Sequence, residues 1–294
     1  MGVIELTGKD KINREKAAKK VKLFLYYAFL IAVGYIIIYP LVWLIFAGSK
    51  TNQEIFGSTA LLPAHFSFDA FVRGWKGTGI YTYTNFFLNT FRLVVPTVFF
   101  TVISSTLVAY GFARFQFKGK KVLFGLLIST LMLPNSVLII PRYILFQKLG
   151  WLNSYLPFTV PAIFACFPFF VFMLVQFFKG LPKELDESAL LDGCNSFQTL
   201  VYILLPLCKP AVISVGLFQF IWTWNDFFNP FIFINSVDKY PLTLALRMTL
   251  DAQATTNWNQ IMAMAAVSIM PCIALFFLAQ KYFLDGIATA GIKG

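Results

Sequence analysis

The chain alternates long apolar runs with short polar joints. A polar, basic stretch at 1–22 gives way to an apolar run at 23–47, and further runs follow at 86–113, 121–146, 157–178, 207–235 and 260–283. Each is about as long as, or longer than, the roughly 20 residues an α-helix needs to cross the hydrocarbon core of a bilayer. The pattern predicts an all-α, polytopic membrane protein with six transmembrane helices. The first run is too long for the apolar core of a signal peptide and no convincing small-residue cleavage site follows it, so it reads as a retained span. The expected division is an N-terminal segment 1–22, a membrane domain 23–283 and a C-terminal tail 284–294.

Composition agrees with that pattern. Apolar residues make up 58% and charged residues 13% of the chain, and mean hydropathy is +0.72. A soluble domain carries about a quarter charged residues, so water is not the main solvent. The net charge of +11 suggests nucleic acid in a soluble protein, but here the basic residues flank apolar runs and report topology, with lipid rather than nucleic acid as partner. Counted over alternate joints, sixteen Lys and Arg fall on the side that holds 1–22, 114–121, 179–209 and the tail. The opposite side holds eight, Arg92 included. Both termini and the loop at 179–206 are therefore expected in the cytoplasm, and the protein in the cell membrane. Four scattered cysteines without a C-x-x-C pair and a single histidine, His65, argue against a disulfide framework, a zinc site or a His-based catalytic triad.

The joint between the fourth and fifth runs is unlike the others. Pro182 suits the first turn of a helix, Glu184, Asp186 and Glu187 favour its positive N-terminal end, and Gly193 suits a left-handed stop. Asn195 or Ser196 can cap a second helix over 197–204, before Pro206 leads into the fifth span. A short helix, a sharp turn and a second helix at the membrane surface follow from this spacing. Leu185, Ser188, Ala189 and Asp192 share a face, and the small side chains of Ser188 and Ala189 would let another protein approach closely.

Glu187-Ser188-Ala189, Gly193 and Ile203-x-Leu205-Pro206 resemble the coupling loop of ATP-binding-cassette import permeases. The likeness extends to Asn89-Thr90, Ala109-Tyr110-Gly111-Phe112-Ala113-Arg114-Phe115, Met132-Leu133-Pro134, Ile139-Ile140-Pro141, Phe220 to Phe227 and Gly291 to Gly294. Together these motifs, over about residues 20–294, are similar to carbohydrate-importer permeases of the maltose-transporter type. The resemblance implies a complex with a homologous second permease, two cytoplasmic ATPase subunits and an extracytoplasmic solute-binding protein. It assigns ATPase coupling to Glu187, Ser188, Ala189, Asp192, Gly193 and Pro206. ATP and Mg would be held by the partner ATPases and no cofactor by this chain, which lacks the G-x-x-x-x-G-K-[ST] phosphate loop. Ser188 stands where the family usually has alanine, and Arg92 where it tends to be apolar; Arg92 either snorkels to the outer interface or reaches a cargo.

Asp226 is the one acidic residue deep in an apolar run, and ionisable groups there face the protein interior or a wet cavity. With Trp222, Trp224, Asn225 and, at the third run, Asn135, it forms a candidate cargo path or gate; a helix–helix hydrogen bond is the structural alternative. The joint at 236–259, outside by the charge count, would face the binding protein by resemblance, or serve as a plain connector. Alternatives to a sugar are a glycerol phosphate ester or an acidic oligosaccharide, for which Arg92 and Arg142 speak weakly. An ion-coupled carrier has little material for a relay beyond Asp226. An intramembrane enzyme lacks its catalytic groups.

Overall fold

A computed structural model describes residues 8–77, 80–251 and 257–291. Among them all regular structure is helical. The helices are α1 (Gly8–Ala47), α2 (Asn52–Gly57), α3 (Asp69–Lys76), α4 (Tyr83–Arg114), α5 (Lys120–Leu131), α6 (Asn135–Lys148), α7 (Leu156–Ile163), α8 (Pro168–Gly180) and α9 (Glu184–Leu191). Then follow α10 (Ser196–Gln198), a π-helical turn (Thr199–Leu204), α11 (Leu205–Leu207), α12 (Lys209–Trp224), α13 (Phe228–Phe233), α14 (Leu242–Asp251) and α15 (Trp258–Gly291). Four stretches are long and apolar enough to cross a membrane: Ala18–Ala47, Tyr83–Arg114, Leu156–Gly180 and Trp258–Lys281. Two bent pairs raise the number to six if each is one span.

The bends depart from the sequence expectation. The third run is not one helix: α5 and α6 meet at 105° across Met132–Pro134. Pro134 has no N–H to continue α5, disfavours helical geometry in Leu133, and instead starts α6 from an extended conformation. The fifth run is helical only to Trp224. Beyond it Asn225 turns back on Ile221 O through Nδ2 (2.9 Å), and Asp226 accepts the amide of Asn229 (3.1 Å), so polar side chains replace the ladder and α13 starts afresh. At the N-terminus the polar residues are not a separate element: from Gly8 they are helical and run directly into the apolar part of α1, and 1–7 lie outside the description. The 284–291 part of the expected tail likewise continues α15, and 292–294 lie outside the described residues.

The chain divides into two compact units. One holds α1, α2, most of the joint up to Val72 and the start of α15. In it Thr51 and Glu54 form a reciprocal capping box at α2, and the Glu54 carboxylate also accepts the amide of Ala64 (3.0 Å). The backbone amides of Thr51 and Ala64 hold that carboxyl below its ordinary range. Lys50, 2% exposed, donates to Ala60 O.

The second unit, from Arg73 onward and again from Val267, carries the site. Its axis is α4, against which α7, α8, α12 and α14 pack. Thr97, Thr101, Ser104 and Ser105 are buried along α4; small side chains there let neighbouring helices come close. Ser104 Oγ donates to Ala162 O (2.6 Å), where α7 ends and its carbonyls lose helical partners. At the Arg114 end of α4, Tyr110, Phe170, Leu174, Phe178, Leu200 and Leu204 form a continuous buried core.

Candidate coupling loop and central cavity

Arg114, in the last turn of α4, anchors the loop that follows α8. Its guanidinium donates to Leu181 O (3.3 Å from both Nη1 and Nη2) and to Pro182 O (3.4 Å), and its Nε lies 3.1 Å from the Asp186 carboxylate in α9. One turn earlier on α4, Tyr110 Oη donates to Ser196 O (3.0 Å). Each helix of the helix–turn–helix is thus fastened near its N-terminal end to one helix, α4. Neither anchor was assigned a role from the sequence, although both sit in the quoted Ala109–Phe115 motif; the signal was a lone charge and a hydroxyl at the end of an apolar run.

Between the anchors the backbone follows the sequence expectation closely. Gly193 has φ +81°; Cys194 N bonds Ala189 O (2.9 Å) and Gly193 N bonds Leu190 O (3.1 Å), the paired bonds of a Schellman stop. Asn195 then caps the next helix in a reciprocal box with Gln198. Two details differ. Pro182 lies just before α9, whose cap is Lys183. Pro206 does not lead into the fifth span but sits in α11, and the chain bends by 81° between Ser196–Leu207 and Lys209–Trp224. Pro206 offers no N–H, and the preceding turn is widened, with Leu205 N donating to Leu200 O.

Exposure sorts the loop residues. Glu187, Ser188, Asp192, Gly193 and Pro206 are exposed. Ala189 is 1% exposed, so its small size serves packing inside the chain rather than the approach of a partner. Leu190 and Leu191, by contrast, are 73% and 88% exposed, and Phe197 and Tyr202 are largely exposed as well. Large apolar side chains thus stand exposed at the tip of a polar loop. A groove of about 470 Å³ runs beneath them between α4 and α9, lined by Tyr110, Arg114, Asp186, Glu187, Asn195 and Thr199.

At the other end of α4, Asn89 Nδ2 donates to Asp238 O (2.7 Å) and Tyr240 O (3.1 Å), and Thr90 Oγ1 accepts the amide of Leu242 (2.8 Å). Tyr155 Oη donates to Lys239 O (3.0 Å); burial pushes its hydroxyl up to about 12, so it stays a donor. Arg92 donates to Asn89 Oδ1 (3.3 Å). The 236–259 joint, as far as it is described, is therefore an ordered cap containing α14; residues 252–256 fall outside the description.

Between the two ends lies a cavity of about 710 Å³. Asn135 enters it from the start of α6, and Trp222, Asn225 and Asp226 from the end of α12 and beyond, so the distant sequence candidates meet there. Arg142 joins them and donates to Asn135 Oδ1. Trp224 does not: it is 3% exposed, its Nε1 donates to Ser268 O (3.0 Å), and its ring stacks on Phe220 at 5.2 Å. Gln219, Thr223 and Asn229 also line the cavity and were not singled out in the sequence, because an isolated amide in an apolar run carries no spacing signal.

Comparisons with known proteins show what the chain is similar to. Residues 102–288 match the family model described as binding-protein-dependent transport system inner membrane component. The chain is 35% identical to a probable ABC transporter permease protein, YurM, of Bacillus subtilis, over 97% of this chain and 93% of the relative. It is 31% identical to the arabinooligosaccharides transport system permease protein AraQ of Halalkalibacterium halodurans (89% and 93%). It is 27% identical to the trehalose/maltose transport system permease protein MalG of Thermococcus litoralis (96% and 99%). Among solved structures, a chain of a bacterial ABC transporter involved in the import of the acidic polysaccharide alginate shares the fold, with a TM-score of 0.74 at 21% identity over 96% of this chain and 100% of that one. By the family match and by relatives above 30% identity over nearly the whole chain, this protein belongs to the binding-protein-dependent transport system inner membrane components.

Proposed function

We propose that the chain is a transmembrane subunit of an ATP-driven importer of a sugar or oligosaccharide. It forms half of the path and receives movement from separate ATPase subunits through the 179–206 loop. The observation that carries this reading is the loop's construction: apolar Leu190 and Leu191 stand out at the surface while Arg114 and Tyr110 tie the loop's base to α4. A push on the tip is passed to α4, the helix against which most of the second unit packs, and the packed helices then switch as bodies rather than deform. The names of the relatives, which include arabinooligosaccharide and trehalose/maltose permeases, support a carbohydrate cargo. In this reading ATP and Mg sit on the ATPases, a homologous permease completes the path, and a solute-binding protein delivers cargo to the 236–240 end. The loop and both termini face the cytoplasm, and the central cavity lies on the cargo route.

The test is Leu191→Asp in the assembled importer, reconstituted in vesicles, beside Glu187→Lys. A carboxylate forced into the apolar interface at the tip lowers cargo-stimulated ATP hydrolysis and ATP-driven uptake at least about tenfold, while the complex still inserts in the membrane. Uptake at the wild-type rate in both variants contradicts the assignment.

A further inference from the structure

The central cavity is polar in a particular way. Gln219 is 3% exposed; its Nε2 donates to Thr223 Oγ1 (2.8 Å), which leaves Oε1 buried without a partner. As oriented here the amide leaves an acceptor over; turned round it would leave a donor, and a hydroxyl satisfies either. Asn229 is fixed more firmly. Its backbone N and Nδ2 both donate to the Asp226 carboxylate (3.1 and 2.7 Å), so its Oδ1 must be the free end, and it too is buried without a partner. Burying an acceptor unmatched is unfavourable, and two such groups line one cavity.

Charge narrows what satisfies them. Among the described lining residues Arg142 and Asp226 carry charge, and they are of opposite sign. Arg142 donates to Asn135 and Asp226 accepts from Asn229; those amides leave both charges in place, but the one cation and the one anion balance, so the lining has no net positive charge. An anionic cargo would add a negative charge to a lining that is already neutral overall, at a depth where an unbalanced charge is expensive. The orphan atoms ask for O–H or N–H donors, which a carboxylate cannot supply. Trp222, 48% exposed and also on the cavity wall, supplies an aromatic ring there, held by Phe169 and Phe170 at 5.2 and 5.1 Å, and such a ring suits the apolar side of a sugar. The volume of about 710 Å³ is in the range of small-ligand sites.

We infer that this subunit itself holds cargo, through a subsite for one neutral, polyhydroxylated ring in which Gln219 and Asn229 accept hydroxyl hydrogen bonds and Trp222 stacks. The inference rests on the importer reading. It goes beyond it by placing recognition inside this chain and by selecting neutral over uronic-acid cargo.

The experiment uses the complete importer in proteoliposomes with saturating binding protein. The probes are galactotriose, arabinotriose, maltotriose and diacetylchitobiose, with trigalacturonate as the acidic counterpart. The readout is cargo moved per ATP hydrolysed, which does not depend on how much complex has folded. The expected result is ATP-driven uptake of a neutral probe, and a ratio that falls about fivefold for each of Gln219→Leu and Asn229→Leu. A Trp222→Phe control keeps a ring and retains most of the ratio. Wild-type ratios in both leucine variants overturn the subsite and leave the importer reading standing. So does uptake of trigalacturonate in preference to every neutral probe. ATP-driven uptake of none of the probes overturns the carbohydrate-importer reading itself, and the subsite with it.

Discussion

Gly193 shows how one backbone angle shapes the loop. Its φ of +81° is left-handed, and a side chain added there would meet nothing within 4 Å. Any penalty for substitution is therefore conformational and not steric. Gly193→Ala is expected to lose about 1–2 kcal/mol, Gly193→Asn less because asparagine tolerates this region, and Gly193→Val more. Hydrogen exchange at Cys194 and Asn195 measures the order; a ranking by side-chain volume, with Asn worse than Ala, contradicts it. Other residues divided in ways their types did not announce. Trp222 and Trp224 are two positions apart, yet one lines a cavity and the other is sealed beside Phe220. Ala189 and Ser188 are adjacent and similar in size, yet one faces inward and one outward.

At the scale of elements, the joint between α4 and α9 depends on Arg114. Its planar fork reaches two carbonyls and a carboxylate at once, which a lysine, with a single ammonium, does not reproduce. Asp186 is 27% exposed, so water screens part of the attraction and the ion pair itself contributes little; the carbonyl bonds fix the geometry. Arg114→Lys is thus expected to keep the charge and still loosen the loop, seen as faster hydrogen exchange over 183–192 and a severalfold drop in uptake per ATP. Exchange equal to wild type contradicts the anchoring role. The breaks between helices follow the same logic: at Pro134 a missing N–H ends a helix, and at Asn225-Asp226 polar side chains compete with it. Both breaks carry cavity residues, because a chain that leaves the helical ladder can aim polar groups at an interior space.

Across the whole second unit, α4 links two polar networks. From Asn89, bonded to the 238–240 segment, to Arg114, bonded to the 181–186 segment, is 25 residues, or about 38 Å of helix, more than the roughly 30 Å hydrocarbon core. The two networks are expected on opposite faces of the membrane. Glu184→Cys and Asp238→Cys, both exposed positions, placed in a cysteine-free background should react with an impermeant maleimide from the cytoplasmic and the outer side respectively. Labelling of both from one side contradicts the topology on which the coupling assignment depends.

The apolar runs and the basic residues between them were enough to establish a polytopic helical membrane protein. The turn chemistry of 182–206 was enough to draw a helix, a left-handed stop and a capped second helix. These are local matters: hydropathy over some 20 residues, and caps and glycines acting within one turn. Tertiary structure decided what local patterns do not encode. It put the 105° and 81° bends inside runs that read as continuous, since hydropathy does not distinguish a straight span from a folded one. It fastened the loop to Arg114 and Tyr110, which lie 67 and 86 residues from the carbonyls they hold. It also gathered Asn135, Arg142, Gln219, Asp226 and Asn229 around one cavity, where unmatched acceptors become visible only once their neighbours are in place.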